Sequence, residues 1–311
     1  MTDQDQSYHI ERLTADNLPD VVRLHAIVYG QTPHHFEKKY DTAYTGRQYV
    51  GFIAYNAGRI PVGYYGVIPC FLQNGESLVL SAQSADTMTH PGYRYKGLFV
   101  ELSNKCFDLC REEGIRIIFG FPNQNSYHGA INKLGWKMTE TMDSFSIRVK
   151  TIPLESISHR LSFLKPVYRR YRDARLKKYL AAKETVPNSV LADGYCGVWR
   201  GEEYLSYKTY HDHLVIRING SLLWIKAGTG LVMGDMMTSG NFEETIRGIR
   251  QLAMRLGVRE AIFQVSTGTS LHAIFRGRFA ATPSFPVLFQ DFNSGLLPER
   301  IKFTFADIDI F

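Results

Sequence analysis

The stretch His90-Pro91-Gly92-Tyr93-Arg94-Tyr95-Lys96-Gly97-Leu98-Phe99 decides how the first half of the chain is interpreted. It follows a predicted strand over residues 78–89 and opens a predicted helix over residues 98–113. The first N–H groups of a helix have no intrahelical partner, and the helix dipole adds partial positive charge there. A glycine lets the backbone approach an anion closely, and the arginine and lysine add full charges. The turn therefore predicts a pyrophosphate-binding loop.

A second signature follows further along the chain. The residues Arg116-Ile117-Ile118-Phe119-Gly120-Phe121-Pro122 contain an apolar run of strand type, and the polar stretch Asn123-Gln124-Asn125-Ser126 comes next. A helix is predicted from there to Leu134, with Gly135 as its stop and Trp136 beyond it. The strand-helix-strand-helix order is typical of an α/β layered arrangement.

Together the two stretches resemble the acyl-CoA core of the GNAT N-acyltransferase superfamily. Arg94 and Gly97 match the first and fourth positions of that family's Arg/Gln-x-x-Gly-x-Gly/Ala loop. Two positions depart from the pattern. The sixth loop position is Phe99, where a small residue is usual, and Ile131 stands four residues before Gly135, where many members have a tyrosine acid. The resemblance covers about the first half of the chain.

The resemblance implies an acyl-CoA co-substrate, acetyl-CoA or another short acyl-CoA, and no metal. In the family, backbone groups of the strand before the loop align the donor, and the loop holds its pyrophosphate. The residues that the resemblance assigns to acyl-CoA are Thr87, Met88, Thr89, Arg94, Tyr95, Lys96, Gly97, Leu98, Phe99, Asn123, Asn125 and Ser126.

Acyl transfer to an amine needs a neutral nucleophile, an oxyanion stabiliser and protonation of the leaving thiolate. Asp86 is a candidate base, but it is equally well explained as a turn cap or a partner of Arg94. Gln83, on the same strand, cannot act as a base and is predicted to orient a water or a sugar hydroxyl.

The helix after the second strand offers two further candidates. A tyrosine at Tyr127 could protonate the thiolate in place of the missing family tyrosine, and a structural role is equally consistent. Histidine is the side chain that ordinarily changes charge near neutral pH, so His128 is a candidate acceptor for the amine proton. A structural role is favoured for His128, because a histidine recurs 144 positions later, at His272, where no CoA loop precedes it.

The second half of the chain repeats the first. Residues 113–119 are echoed by residues 256–263, and Ser126 is echoed by Ser270, so a duplicated domain is predicted. Before the matching helix stands Thr238-Ser239-Gly240-Asn241-Phe242-Glu243-Glu244, which has no Arg-x-x-Gly and two acids that would repel a pyrophosphate. We therefore expect one CoA site, in the first copy, and a degenerate second copy that contributes to acceptor binding.

The segment between the copies is basic. The chain has a net charge of +6, but nine basic residues and one acid lie between Arg160 and Lys183, so the rest of the chain is slightly acidic. The excess therefore does not indicate nucleic-acid binding by the folded domains. The segment is interpreted either as an amphipathic helix for a membrane surface or polyanion, or as a solvated helix pair whose aromatics pack on a neighbouring domain. The second is favoured, because apolar residues are too sparse for membrane insertion.

These features predict two tandem GNAT-like α/β domains, each with a mixed, mostly antiparallel sheet flanked by helices. The expected boundaries are residues 1–150, a basic helical linker over 151–190, and residues 191–311. Asn74-Gly75 between apolar runs predicts a hairpin. The four cysteines are expected to be buried free thiols, with Cys106 and Cys110 on one helix face. The polar start, Met1 to Ser7, and the lack of an uncharged span of transmembrane length predict a soluble, cytoplasmic protein.

The acceptor is predicted from the tandem architecture. Two copies, one degenerate, resemble bacterial N-acyltransferases that act on nucleotide-linked amino sugars for surface polysaccharides. Trp224 is a candidate for stacking on a base, Arg276 for meeting a diphosphate, and Asp307, on a predicted final strand, for holding the sugar ammonium. For each of these residues alone a role in the core or on the surface is favoured, so the acceptor prediction depends on the set. The alternatives are another amine, such as a peptide or aminoglycoside, and a non-catalytic acyl-CoA-binding protein. The oligomeric state stays open.

Overall fold

The structure, a computed structural model, describes residues 8–33, 35–181, 186–228 and 230–311. Met1 to Ser7 and Lys183, on which two of the expectations above partly depend, lie outside these residues. The first half contains β1 (His9–Arg12), α1 (Leu18–Tyr29), α2 (Phe36–Tyr40), β2 (Gly51–Tyr55), β3 (Pro61–Asn74), β4 (Ser77–Thr89), α3 (Leu98–Glu112), β5 (Ile117–Gly120), α4 (Gln124–Leu134) and β6 (Lys137–Arg148).

The second half contains the elements that follow in chain order. They are α5 (Leu154–Arg160), α6 (Lys165–Leu176), α7 (Ser189–Ala192), β7 (Gly197–Val198), α8 (Glu202–Tyr207), β8 (His213–Ile218), β9 (Ser221–Gly228), β10 (Gly230–Met237), α9 (Phe242–Leu256), β11 (Glu260–Val265), α10 (Ser270–Arg276) and β12 (Ala281–Asp291).

The chain divides into two compact units. The first comprises residues 1–139, 201–210 and 286–298, and the second comprises residues 140–200, 211–285 and 299–311. In the first unit β1 to β4 form an antiparallel meander, and β5 pairs parallel to β4. In the second unit β8 to β10 form the meander, and β11 pairs parallel to β10. The predicted α/β fold, with a mixed, mostly antiparallel sheet flanked by helices, is confirmed.

The last strand of each unit comes from the other half of the sequence. Residues 286–291 of β12 belong to the first unit, where Leu288 pairs with Gly120 of β5. Residues 140–148 of β6 belong to the second unit, where Phe145 pairs with Phe263 of β11. The units therefore differ from the sequential boundaries expected at residues 150 and 190. Local sequence patterns predict that a strand exists but not which partner it pairs with.

Helices cover an apolar face of the sheet in each unit. In the first unit, α3 contributes Leu98, Leu102 and the two cysteines Cys106 and Cys110, all buried. A hydrogen bond between the two thiols, reinforced by burial, raises the pKa of Cys106 well above its ordinary value. The four cysteines are free and buried, as predicted.

The basic segment folds as the helices α5 and α6 within the second unit. The Tyr168 hydroxyl donates to the carbonyl of Leu256 at 3.0 Å, and Tyr171 donates to the carbonyl of Arg255 at 2.5 Å. These contacts hold α6 against the end of α9. In the described part of the chain, no helix combines the length and the apolar content needed to cross a bilayer.

The C-terminal residues do not form the predicted strand. A 3-10 helix over Phe305–Asp307 replaces it, closed by a capping box between Thr304 and Asp307. The segment is therefore not an extended strand. The Thr304 and Asp307 side chains form hydrogen bonds with the backbone of the 3-10 helix and stabilise this turn.

Candidate active site

The candidate site begins at a bulge in β4. Tyr64 of β3 pairs with Met88, while Gly66, two residues on, pairs with Ala85, so β4 has an extra residue at Asp86 and Thr87. Asp86 adopts a left-handed conformation with φ of 52°. A bulge of this kind bends the strand and redirects its side chains. A non-glycine residue at positive φ costs free energy, so surrounding contacts must hold Asp86 in place.

The bulge coincides with the end of the pairing between β4 and β5. The last parallel pair is Ser84 with Gly120, where β5 ends, while β4 continues to Thr89. The β5-facing backbone groups of residues 86–89 are therefore not engaged by β5. Such groups can hydrogen-bond an extended amide chain, which is what the pantetheine arm of CoA presents. The predicted donor residues Thr87, Met88 and Thr89 lie along this edge, with the Met88 side chain buried.

Two residues of α2 hold the Asp86 carboxylate. Lys39 Nζ lies 2.6 Å from Oδ2 of Asp86, and the Tyr40 hydroxyl donates to the same oxygen at 2.8 Å. The Lys39 side chain is 2% exposed, whereas that of Asp86 is 15% exposed. Burial and the neighbouring carboxylate raise the pKa of Tyr40 well above its ordinary value, so this tyrosine stays a neutral donor. Both bonds go to Oδ2 of Asp86, and Oδ1 takes part in neither.

α2 is itself supported by the segment 201–210 of the first unit. The Tyr207 hydroxyl donates to the Lys39 carbonyl at 2.7 Å, and Tyr210 stacks on His35 with ring centroids 6.0 Å apart. A five-residue helix such as α2 is too short to be stable alone. Segment 201–210 therefore fixes the backbone that carries Lys39 and Tyr40.

Tyr29, the last residue of α1, links the carboxylate to the loop. Burial raises the pKa of Tyr29, Asp86 raises it further, and the charges of Arg94 and Lys39 act in the opposite direction. The Tyr29 hydroxyl therefore lies within electrostatic range of both Asp86 and Arg94. Tyr29 is about half exposed.

The predicted pyrophosphate loop is an exposed turn before α3. His90 caps a 3-10 turn over Pro91–Tyr93, its Nδ1 accepting from the N–H of Gly92 at 3.1 Å. Gly97 is the N-cap of α3 with φ of 83°, and a Cβ built on it would meet no atom within 4 Å. A 15-residue helix with an open glycine at its start fits a pyrophosphate.

The loop side chains point away from the core. Arg94, Tyr95, Lys96 and Gly97 are exposed, while Leu98 is buried. Tyr95 has φ of 65° and is fully exposed. Lys96 Nζ lies 5.2 Å from the ring centroid of Tyr93. The loop therefore offers cations and backbone N–H groups to an anion. These residues would hold the pyrophosphate of acyl-CoA.

The bulky sixth loop residue is accommodated by a glycine on α4. A Cβ built on Gly129 would lie 2.8 Å from Cε1 of Phe99. Phe99 also packs edge-on against Tyr65 at 6.2 Å between ring centroids. The ring is therefore directed into the packing of α3 on α4, away from the loop backbone.

The polar cluster at residues 123–126 begins α4. Asn123 is its N-cap, and its Oδ1 accepts from the N–H groups of Asn125 and Ser126 at 2.9 and 3.2 Å. The Asn123 side-chain oxygen is therefore engaged by the helix. Asn125 is exposed and Ser126 half-buried.

The two catalytic candidates on α4 differ in their surroundings. The Tyr127 hydroxyl donates to Sδ of Met138 at 3.2 Å, and its ring packs on the first unit's core. His128 is exposed and lies edge-on to Tyr127. Its counterpart His272 is buried, 2.9 Å from Oδ2 of Asp143. The recurring histidine thus has a structural contact in the second unit that an exposed His128 does not share.

Gln83 lies inside the sheet. It pairs with Ile68 of β3 and Phe119 of β5 and is 5% exposed. The side chain thus sits three residues before the bulge, on the part of β4 that is paired on both sides.

Two of the predicted acceptor residues are structural, which corrects the expectation. Trp224 is fully buried, and its Nε1 donates to Nδ1 of His213 at 2.9 Å, so no ring face is open to a base. Asp307 is buried, with Oδ1 2.7 Å from Nη2 of Arg200 and Oδ2 accepting from the N–H of Thr304 at 2.8 Å. The sequence pattern could not reveal these partners because they are distant along the chain. Arg276 is exposed at the end of α10.

Sequence reasoning missed Tyr29, Lys39 and Tyr40. Lys39 belongs to the stretch Phe36-Glu37-Lys38-Lys39-Tyr40, and a lysine pair is typical of a solvated surface. Only the spacing of Phe36, Lys39 and Tyr40, at i, i+3 and i+4, places them on one helical face and could have suggested their burial. Among the described residues, no cluster of histidine, cysteine, aspartate or glutamate could hold a metal ion.

Comparisons with known proteins place this site in a family context. Residues 9–139 match the family model described as an acetyltransferase (GNAT) domain. The match spans β1 to α4, so it includes Asp86, the loop and the Asn123 cap. The resemblance inferred from the sequence is confirmed for this range. No curated protein matches the chain.

Solved structures share the fold across nearly the whole chain. A GCN5-related N-acetyltransferase from Kribbella flavida is 14% identical, with a TM-score of 0.58, over 94% of this chain and 72% of that one. One from Anabaena variabilis is 13% identical, with a TM-score of 0.55, over 92% and 73%. A conserved protein of Enterococcus faecalis V583 is 12% identical, with a TM-score of 0.59, over 92% and 73%.

At these identities the structural likeness establishes the fold. The family match shows that residues 9–139 are similar to a GNAT acetyltransferase domain, the kind of domain that acyl-CoA-dependent N-acyltransferases contain.

Proposed function

We propose that the protein transfers an acyl group from acyl-CoA to a primary amine, and that Asp86 accepts the proton that the amine must lose. The observation that supports this role is the position of Asp86, which lies in the β4 bulge where β4 leaves β5. Lys39 and Tyr40 both bond to one oxygen of its carboxylate, and the other oxygen takes part in neither bond.

The donor would bind along β4 and the loop. The pyrophosphate meets the α3 N-terminus with Arg94 and Lys96, and the pantetheine arm lies along residues 87–89. In the described residues Arg94 has no acidic partner within salt-bridge distance, so its charge is available to the phosphates. The thioester would then lie near the bulge, next to the carboxylate of Asp86.

The chemistry follows from that placement. Asp86 takes one proton from the acceptor ammonium, and the neutral amine attacks the thioester carbonyl carbon. The C–N bond forms, the C–S bond breaks, and the second amine proton leaves as the thiolate is protonated. The products are an amide and free CoA, and the proton on Asp86 returns to solvent.

A tyrosine relays the second amine proton: its hydroxyl protonates the thiolate, and the resulting tyrosinate takes the proton that leaves the nitrogen. Tyr127 was predicted for this role, and among the described residues its hydroxyl has only the weak acceptor Sδ of Met138 as a partner. Tyr29 is the second candidate, because the charges of Asp86 and Arg94 both act on its hydroxyl and shift its pKa in opposite directions. Tyr127→Phe and Tyr29→Phe distinguish the two candidates. Only the substitution that removes the proton donor should slow thiol release with little change in CoA affinity.

The first acceptor class is the nucleotide-linked amino sugar, for bacterial surface polysaccharide synthesis. It is supported by the resemblance of the tandem architecture and by the exposed Arg276. Burial of Trp224 and Asp307 removes two of its predicted contacts. The second class is a cationic amine without a nucleotide, such as an aminoglycoside or peptide. It is favoured by the Asp86 carboxylate, which attracts an ammonium and needs no base-stacking ring.

A thiol-release assay on the full chain tests the proposal. Acetyl-CoA is the donor, and the panel contains nucleotide-linked amino sugars, aminoglycosides and peptides, with a reaction lacking amine as the control for hydrolysis. Acceleration by one class identifies the acceptor. If no amine accelerates thiol release although acetyl-CoA binds, the protein is an acyl-CoA-binding protein and the proposed transfer is wrong.

A further inference from the structure

Residues 152–167 of the second unit, which include α5 and the start of α6, leave a set of apolar side chains uncovered. Each is more than a third exposed, and Phe163 and Val167 are 73% and 64% exposed. The set comprises Ile152, Leu154, Ile157, Leu161, Phe163 and Val167. Single exposed apolar residues are common on proteins, but a contiguous stretch of this kind marks an interaction surface.

One side of α6 is committed to the second unit. Tyr168 and Tyr171 bond to carbonyls at the end of α9, Arg172 Nη1 donates to the Ala227 carbonyl at 2.5 Å, and Leu176 joins the core. These contacts fix the rotation of α6 about its axis. Its opposite side is therefore presented to solvent in a defined orientation.

The presented side combines apolar tips with positive charge. Val167, Arg170 and Ala174 recur at intervals of three and four residues, so they share one face of α6, and Phe163 lies in the 3-10 helix Ser162–Leu164 directly before it; all four are exposed. We call these four residues the outer face of α6.

Cations surround the outer face. Eight basic residues and one acid lie between Arg160 and Lys178. Within the described chain, Arg160, Lys165, Arg169, Arg170 and Lys177 take part in no ion pair. The lone acid, Asp173, pairs with Arg172 at 2.8 Å. The positive charge around the outer face is therefore not neutralised by the protein itself.

We propose that the outer face of α6 adsorbs the protein onto an anionic lipid surface. Phe163 and Val167 would enter the boundary between headgroups and acyl chains, while the flanking arginines and lysines contact anionic headgroups. The segment has too few apolar residues to insert into a bilayer. Binding to the bilayer surface needs less, because a few apolar side chains and several positive charges are enough. A nucleic acid would also attract the positive charge. It has no apolar layer, however, in which the exposed side chains of Phe163 and Val167 could be buried.

Vesicle co-sedimentation of the full chain tests this proposal. The probes are vesicles of phosphatidylcholine alone and of phosphatidylcholine mixed with phosphatidylglycerol. Binding is expected only to the mixed vesicles, and it should weaken as salt rises. Equal binding to both vesicle types, or to neither, would overturn the proposal.

Paired variants separate the charge from the apolar tips. Arg169→Glu with Arg170→Glu should lower the partition coefficient at least roughly twentyfold, since each basic residue near an anionic surface contributes about fivefold. Phe163→Ser with Val167→Ser should lower it by about tenfold or more. The matched control is Lys105→Glu with Lys133→Glu, an equal charge change at exposed positions of the first unit, and it should bind nearly as the parent does.

Two results would contradict the assignment. If the serine pair binds mixed vesicles as tightly as the parent, the surface is a general polyanion site and no lipid surface is implied. If light scattering shows that the parent self-associates and the serine pair does not, the outer face is covered by a second copy of the chain. In all variants an unchanged circular dichroism spectrum confirms the fold, because the substituted side chains are exposed.

Discussion

Lys39 Nζ lies 2.6 Å from Oδ2 of Asp86, and the lysine is the more deeply buried partner of this pair. A buried ammonium is costly without a counter-charge, so Lys39 requires the carboxylate more than the carboxylate requires Lys39. The Tyr40 hydroxyl, at 2.8 Å from the same oxygen, completes the contact. This asymmetry means that a substitution at Asp86 acts on both stability and function, and the two effects must be separated.

The first prediction concerns the effect of an Asp86 substitution on stability. Asp86→Asn leaves Lys39 buried beside a neutral partner and should lower the free energy of unfolding by about 3–5 kcal/mol. Adding Lys39→Met removes the buried ammonium as well, so the double variant should regain most of that loss. Urea unfolding of the parent, the single and the double variant measures it. A double variant as unstable as Asp86→Asn would show that the left-handed backbone at Asp86, and not the charge, sets the cost.

The second prediction concerns the donor. Arg94→Ala should weaken CoA binding by about 1.5–3 kcal/mol, the range for a lost charge-assisted hydrogen bond. Isothermal titration measures the affinity, with Lys105→Ala, an exposed cation on α3, as the control. The same titration should saturate at one CoA per chain, because α9 begins at Asn241 with two acids and no Arg-x-x-Gly. Unchanged affinity in a folded Arg94→Ala protein would remove the loop assignment.

The third prediction concerns the backbone of the loop. Gly97 has φ of 83°, so Gly97→Ala places a side chain in the left-handed region at a cost of about 1–2 kcal/mol. The space around it is open, so the cost is conformational and not steric. Gly92→Ala, where no positive φ is required and a Cβ meets only the His90 ring at 3.5 Å, is the control. Thermal unfolding and CoA titration should both respond at Gly97 only; equal effects at the two glycines would contradict this account.

The fourth prediction follows from the corrected role of Asp307. Asp307→Ala removes one of the carboxylates that the buried Arg200 contacts, keeps its contact with Asp235, and removes the Thr304 cap. It should destabilise the protein by about 3–5 kcal/mol. Arg276→Ala, at an exposed position, should change stability by less than about 0.5 kcal/mol. Denaturant unfolding compares them. A stable Asp307→Ala protein with a raised KM for the amine would restore the acceptor role predicted from the sequence.

Local patterns predicted most of the first unit's framework. The strand that ends at Thr89, the hairpin at Asn74-Gly75 and the start of α3 at Leu98 occur where the sequence places them. Each depends on neighbours in the chain, namely alternation, an Asn-Gly turn or a glycine before a helix. The acyl-CoA loop could be predicted for the same reason, because it is one continuous stretch.

Features that depend on distant residues could not be predicted. The bulge at Asp86 appears only when β4 is aligned with β3, and the Lys39 contact joins residues 47 positions apart. The exchange of β6 and β12 between the units is likewise a question of partner choice. The role of Asp307 was predicted wrongly because its ion-pair partner, Arg200, lies 107 positions away in the sequence.

The central claim is that the Asp86 carboxylate accepts the amine proton, and comparing Lys39→Met with Lys39→Met/Asp86→Asn tests it most directly. Both variants lack the buried ammonium, and only the first keeps the carboxylate, still bonded to Tyr40. With the acceptor identified by the panel, the rate of thiol release at saturating acetyl-CoA should fall about 10²–10⁴-fold between the two, with CoA affinity unchanged. Equal rates in the two variants would contradict the claim and leave Asp86 as a structural partner of Lys39.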